Sequence, residues 1–326
     1  MNITKASARS WARLGQRAAF FAIAMPEIVE EHENVRVMTA DLAQLSNLDR
    51  LQKKYPEKLI NVGIAEQNMV AMASGMAMEG YCVFATTYAS FIATRSLEQA
   101  RQHLSQFSLN VKLVGTAAGL VAARSGIAHW ATEDIAFMRA LPNMTVMSAA
   151  DCVEAYCMAH YAASAPGPMY IRLNGVPGCP MIYDESYVFE PGKIRLLNRG
   201  TDVALLGTGL MVHEALEAAK LLEEQGISCS VADVHTIKPL DKEGLNDLFA
   251  SHKLIVTLEE HNIIGGLGGA VAEYKATLDK TPRQIMVGIP DRFTTDTGSP
   301  RYIWEQFGMT APQIAERVRN EWERRA

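Results

Sequence analysis

Short β-type runs alternate with helical patterns along most of this chain, and that alternation most narrows the folds open to it. Val35–Thr39, Leu59–Val62, Tyr81–Ala85, Val111–Gly115, Met144–Met147 and Met169–Leu173 are strand-like, with helical stretches between them. The spacing predicts one helix from about Ala65-Glu66 to Glu79, with Gly80 as its stop, and another from about Tyr88 to Gln106. Asp151-Cys-Val-Glu154 carries a capping-box spacing ahead of a further helix. Parallel strands need a crossover between them, so this order predicts a doubly wound parallel sheet. Asn174–Gly192, with Pro177, Gly178, Pro180, Pro191 and Gly192, reads as an inter-domain linker. The alternation then resumes, with strands at Val203–Leu206, Cys229–Val234 and Leu254–Leu258, a helix over Val212–Glu224 and a last one over Ala311–Glu323. The expectation is α/β, two doubly wound domains, 1–190 and 191–326, which suits a chain of 326 residues.

Composition removes several functional classes. Lys and Arg number 31 against 36 Asp and Glu, a net charge of −5, so overall charge does not point to a nucleic-acid or anionic-membrane binder. The longest early apolar run, Ala18–Met25, is far short of the ~20 residues that span a bilayer, and Pro26-Glu27 follows it where a signal peptide would have small residues. Cys82, Cys152, Cys157, Cys179 and Cys229 are scattered, with no CxxC, and read as free buried thiols in a reducing, cytoplasmic setting. Gly192-Lys193 continues with Ile194, so there is no phosphate-binding P-loop. Gly207-Thr-Gly209 has Val212 where a dinucleotide fingerprint needs a third glycine, and Gly265–Gly269 fails the same way at Val271 and reads as a tight loop.

The informative stretch is Asn61-Val-Gly-Ile-Ala-Glu-Gln-Asn-Met-Val70, continuing through Ala71-Met-Ala-Ser-Gly-Met-Ala-Met-Glu-Gly80. Glu66 stands at the head of an otherwise apolar, small-sided helix, where Ala71, Ala73, Ser74, Gly75 and Ala77 permit close packing. A first-turn acid is favoured by the helix dipole alone. The scarcity of other charge nearby points further, to a carboxyl facing a dry site, where such a group keeps its proton and can share it with a ligand nitrogen.

The run NVGIAEQNMVAMASGMAMEGYCVFATTYASF resembles the pyrimidine-binding domain of the thiamine-diphosphate-dependent transketolases. Lys238-Pro-Leu-Asp241, Val256-Thr-Leu-Glu-Glu260 and Gly265–Gly269 are similar to that family's C-terminal domain. The resemblance implies a transferase moving a two-carbon ketol unit from a ketose to an aldose. It implies that Glu66 hydrogen-bonds N1′ of the cofactor's aminopyrimidine, favouring the imino tautomer that removes the thiazolium C2 proton. Tyr88 and Phe91, three apart on one helix face, would wall the ring. Asp41 matches a family position beside the cofactor. His129 matches a histidine facing the substrate's carbonyl and hydroxyls, and Arg172 an arginine taking its phosphate. Arg124, in the loop of His129, is a further candidate for an anionic group.

The match has departures. Where the family has Asp-Gly-x-Thr-His, this chain reads Ser125-Gly-Ile-Ala-His129, and an upstream histidine falls at Ala117. A sugar-hydroxyl contact at Ser125 and a phosphate contact at Ala117 are both altered, so the donor's stereochemistry or terminal group is left open. The cofactor's diphosphate is held in the family through Mg²⁺ or Ca²⁺ by a Gly-Asp-Gly…Asn motif on another domain, and this chain has no Gly-Asp or Asp-Gly dipeptide. The resemblance is therefore to the C-terminal subunit of a split enzyme. It implies an N-terminal partner subunit that carries that motif and the metal ligands, in an α2β2 assembly acting on small sugars, with no metal ligands on this chain and no membrane or nucleic-acid partner. A 2-oxo acid dehydrogenase E1 β subunit and a non-catalytic assembly partner are the alternatives.

Overall fold

The computed structural model describes residues 3–293 and 296–324. The first sheet contains β1 (Val35–Thr39), β2 (Leu59–Asn61), β3 (Cys82–Tyr88), β4 (Val111–Thr116), β5 (Thr145–Ser148) and β6 (Met169–Arg172). The second contains β7 (Arg195–Asn198), β8 (Val203–Gly207), β9 (Cys229–Asp233), β11 (Leu254–Asn262) and β12 (Arg283–Ile289). A seventh strand, β10 (Thr236–Lys238), lies at the edge of the first sheet, and the strand orders are β10-β5-β6-β4-β3-β1-β2 and β12-β11-β8-β9-β7. Every pairing among β1–β6 is parallel, as are those joining β8, β9, β11 and β12. The expected doubly wound α/β architecture is present in both sheets.

Helices cover the first sheet on both faces, which is why its strands are apolar rather than alternating. All of β4 and β6 is buried. Successive side chains still go to opposite faces. Val37, Phe84 and Val114 join a core containing Phe20 and Phe21, while Met38, Ala85 and Leu113 join one containing Met69 and Ile92.

Two expectations are corrected here. The helix read over Tyr88–Gln106 is broken: β3 runs on through Thr86, Thr87 and Tyr88, and the rest divides into Ala89–Thr94, Leu97–Gln99 and a wider π-turn at Ala100–Ser105. The Thr94 and Ser96 hydroxyls donate to Ser90 O at 2.5 Å and Ile92 O at 2.8 Å, back-bonding that bends a helix. Gly265–Gly269 is not wholly loop, since a helix begins at Leu267. Its first amides, Leu267 and Gly268, donate to the buried Glu259 carboxylate at 2.7 and 2.8 Å, and a Cβ on Gly266 would lie 1.8 Å from that carboxylate. The two parts of the chain also share a sheet. A strand the sequence did not announce, β10 (Thr236–Lys238), leaves the second part and pairs antiparallel with β5 at the edge of the first sheet. Lys238 Nζ fixes it there by donating to Arg139 O at 3.0 Å and to Leu141 O.

The 174–192 segment is also packed. Tyr183 and Tyr187 are buried and stacked 3.9 Å apart. Their hydroxyls donate at 2.6 Å to Asp233 and to Glu154, one carboxyl from each side of the junction. The Asp151 N-cap accepts from Glu154 N–H at 2.9 Å, as the capping spacing requires, but the Glu154 carboxylate turns back to Ala150 N–H at 2.7 Å instead of closing the box.

Burial pushes Asp233 up to about 7, and burial followed by the neighbouring Asp233 charge pushes Glu154 well above the ordinary carboxylate range. Both folded values exceed the unfolded ones near 4. The stabilisation is therefore complete below about pH 4 and is lost as pH rises through about 7. Urea unfolding between pH 5 and 8 is expected to show stability falling with pH, by roughly 1.4 kcal/mol per pH unit where one proton is released. Asp233→Asn should flatten that slope, and an unchanged slope would contradict the assignment.

Candidate active site

The chain order reverses between β1 and β3, since β2 lies on one side of β1 and β3, β4 and β6 on the other. In open α/β sheets a ligand binds outside the carboxyl ends of the strands at such a point. Asp41 leaves the end of β1 with φ +61°, a left-handed backbone for a non-glycine. Asn61, at the end of β2, holds it there: Asp41 N–H donates to Asn61 Oδ1 at 3.0 Å and Asn61 Nδ2 to Asp41 Oδ1 at 3.1 Å. Glu66 then opens the helix Glu66–Met78 and is 5% exposed.

Tyr88 ends β3, and the turn into the helix Ala89–Thr94 brings Phe91 back onto it, with ring centroids 5.5 Å apart. His129 closes the triangle at 5.8 Å from Tyr88 and 5.5 Å from Phe91. It ends a short 3₁₀ turn, Ile127–His129, in the loop after β4, and its buried Nδ1 has no partner among the described residues. Arg124 and Ser125 are exposed on the same loop.

One residue that the sequence reading missed belongs to this group. Arg95 Nη1 donates to Glu66 Oε1 at 3.1 Å, and its guanidinium lies 3.7 Å from the centroid of Phe91. The expectation of a carboxyl without nearby charge is corrected accordingly: burial holds, but a cation reaches it from the neighbouring helix. The signal was available in the spacing, since Arg95 follows Phe91 by four and Tyr88 by seven. Phe91, Arg95, Ile127, Trp130, Glu133 and Phe293 line an open cleft of about 1030 Å³.

Arg172 lies elsewhere. It is 1% exposed, and its Nε donates to Asp134 at 2.8 Å while Nη2 donates to Ala131 O at 3.0 Å and Glu260 O at 2.8 Å. These donors are committed to buried acceptors within the chain.

The helix of Glu66 packs only one side inward. Met69, Val70, Ala73 and Ser74 are buried, whereas Ala71, Met72 and Gly75 are exposed. Ile64 and Met78, at its two ends, are 76% and 71% exposed. Among the described residues no helix is long and apolar enough to cross a membrane, and no group of three or more His, Cys, Asp or Glu is placed to hold a metal ion.

Comparison with known proteins covers almost the whole chain. Residues 16–175 match the transketolase pyrimidine-binding domain and residues 192–314 the transketolase C-terminal domain. A solved structure described as a split gene transketolase, an inactive beta4 tetramer, is 37% identical with a TM-score of 0.84, covering 94% of this chain and 97% of that one. The 6-deoxy-6-sulfo-D-fructose transketolase subunit SqwH of a Clostridium species is 36% identical over 92% of each chain. The 1-deoxy-D-xylulose-5-phosphate synthase of Chlorobium phaeovibrioides is also 36% identical, over 92% of this chain but 47% of its own length.

Proposed function

This chain belongs to the transketolase family, and from that premise we propose that it is the C-terminal subunit of a split enzyme transferring a two-carbon ketol unit with thiamine diphosphate. One observation carries the reading: a buried glutamate at a helix head, linked through Arg95 to the Phe91 ring of the Tyr88–Phe91–His129 cluster, at the switch point of a parallel sheet. The residues fit an aminopyrimidine. Glu66 offers a buried carboxyl to a ring nitrogen, Tyr88 and Phe91 offer faces and edges to the ring, and Asp41 sits at the neighbouring strand end.

When bound, thiamine diphosphate supplies the electron sink that lets a ketose carbon–carbon bond break. The protein's part is to orient the ring and move protons. Glu66 holds the ring nitrogen and biases where its proton resides. His129, with an unpartnered buried Nδ1, orients a substrate carbonyl or hydroxyl, and Ser125 and Arg124 flank the approach. Arg95 replaces Arg172 as the cation of the cleft, and an anionic donor group is its natural ligand.

The site needs a second chain. The absence of Gly-Asp in the sequence and the exposed apolar side chains of Ile64, Met72 and Met78 along the helix of Glu66 support an N-terminal partner that brings the diphosphate and Mg²⁺ or Ca²⁺ site, in an α2β2 assembly. Reconstitution tests this. The chain mixed with a Gly-Asp-Gly-bearing partner is expected to convert a ketose and an aldose, with neither protein active alone. Lipoamide-dependent oxidation of a 2-oxo acid by the mixture, without ketol transfer, would instead favour a dehydrogenase E1 β subunit.

A further inference from the structure

Glu260 has no part in the chemistry above, yet it lies where the two sheets meet under the loop of His129. β11 continues past its last pairing with β8, Leu258 with Gly207, and its end, still paired with β12 at Asn262, meets the first part of the chain. There Asn262 N–H donates to Thr132 O at 2.7 Å, Ala136 N–H donates to His261 Nε2 at 3.3 Å, and Glu260 O accepts from Arg172. Burial pushes His261 down to about 4, so it stays neutral; with Nε2 accepting, its proton is on Nδ1, which faces Asn262 O at 2.6 Å.

The Glu260 carboxylate has its own set of donors. Asn174 Nδ2 reaches one oxygen at 2.9 Å and Trp304 Nε1 the other at 2.8 Å. A Cβ on Gly119 would lie 2.0 Å from Glu260 Oε2, so the loop can rest on this carboxylate only with glycine there, at φ +62°. Gly119 and Ala131 exchange both backbone hydrogen bonds at 3.1 Å, closing the neck of the loop two residues after His129. The neck is thus held from below at Gly119 and from the side at Ala131 and Thr132.

We infer that Glu260 is a positioning residue: it props the neck of the 117–133 loop and thereby sets the His129 imidazole against Tyr88 and Phe91. The second part of the chain then acts on the substrate side of the site through one strand end. The inference rests on the reading of His129 as substrate-facing.

Two variants of the full chain test it from opposite sides. Glu260→Gln keeps the shape but presents N–H groups to at least one of the existing donors. Gly119→Ala pushes on the same contact from the loop. In either, the His129 imidazole signal in NMR is expected to move while those of His103 and His252 stay. The backbone amides at positions 119 and 131 should exchange with solvent at least roughly tenfold faster, with β1 and β3 unchanged. In the reconstituted complex, KM for fructose 6-phosphate as donor should rise more than kcat falls. A folded variant with His129 and both amides unaltered would overturn the inference, as would a uniform acceleration across all strands. If Glu260→Gln does not fold, Gly119→Ala decides by the same criteria. The NMR and exchange results require no turnover, whereas full activity in His129→Ala would remove the functional reading and leave the mechanical link standing.

Discussion

Replacing Glu66 with glutamine is expected to lower kcat of the reconstituted enzyme by roughly 10²–10⁴, the range seen when a positioned acid–base group is removed. Stability should hardly change. The pair that Glu66 makes is with a side chain of Arg95 that is 48% exposed, and such pairs contribute about 0–1 kcal/mol. Glutamine also preserves the volume and one hydrogen-bond acceptor toward Arg95. Activity and stability therefore separate in this variant, and that separation distinguishes a glutamate placed for chemistry from one placed to cap a helix. The measurement is single-turnover rate beside urea unfolding. A rate within about threefold of the parent, together with a lowered unfolding midpoint, would assign Glu66 to the helix and not to the reaction.

Arg172 is expected to behave in the opposite way. Arg172→Met should destabilise the chain by roughly 3–5 kcal/mol, because it leaves Asp134 buried with no cation. Burial opposes the charge of Arg172, but Asp134 and Glu260 outweigh it and hold the guanidinium above its ordinary range. Asp134 Oδ1 already has no hydrogen-bond partner among the described residues, so the Arg172 contact at Oδ2 is the main return for burying that carboxylate. Arg172→Met combined with Asp134→Leu should recover part of the loss, since an apolar pair removes both charges, although the Tyr170 hydroxyl then loses its bond of 2.6 Å to Asp134. Urea unfolding of the parent, single and double variants reads this directly. A single variant as stable as the parent, with only the donor KM raised, would return Arg172 to the substrate-anion role that the sequence suggested.

The contrast between these two residues shows what the sequence could carry. Glu66 was legible because its signal is local: an acid at the head of a helix whose next positions are small and apolar. Arg172 was not, because an arginine at a strand end has the same local pattern whether it meets solvent or a buried carboxylate, and its partner lies 38 positions away. Distance in sequence also hid β10. Thr236-Ile-Lys238 is too short to announce a strand, and its partner β5 belongs to the other part of the chain. The first sheet's alternation was readable because each crossover is local, and Val35–Thr39 and Ala311–Glu323 fall where the pattern placed them. Arg95 stands four residues after Phe91, but its carboxylate partner Glu66 lies 29 positions away, so the pairing has no local signal.

The central claim is that this chain holds half of a thiamine diphosphate site, with Glu66 on the pyrimidine side and the diphosphate grip on a partner. Calorimetric titration of thiamine diphosphate with Mg²⁺ tests it most directly, into the chain alone, the chain with its partner, and the Glu66→Gln chain with the partner. Saturable binding is expected only when both subunits are present, weakened by the substitution. Tight, stoichiometric binding to this chain alone, unchanged in Glu66→Gln, would contradict it.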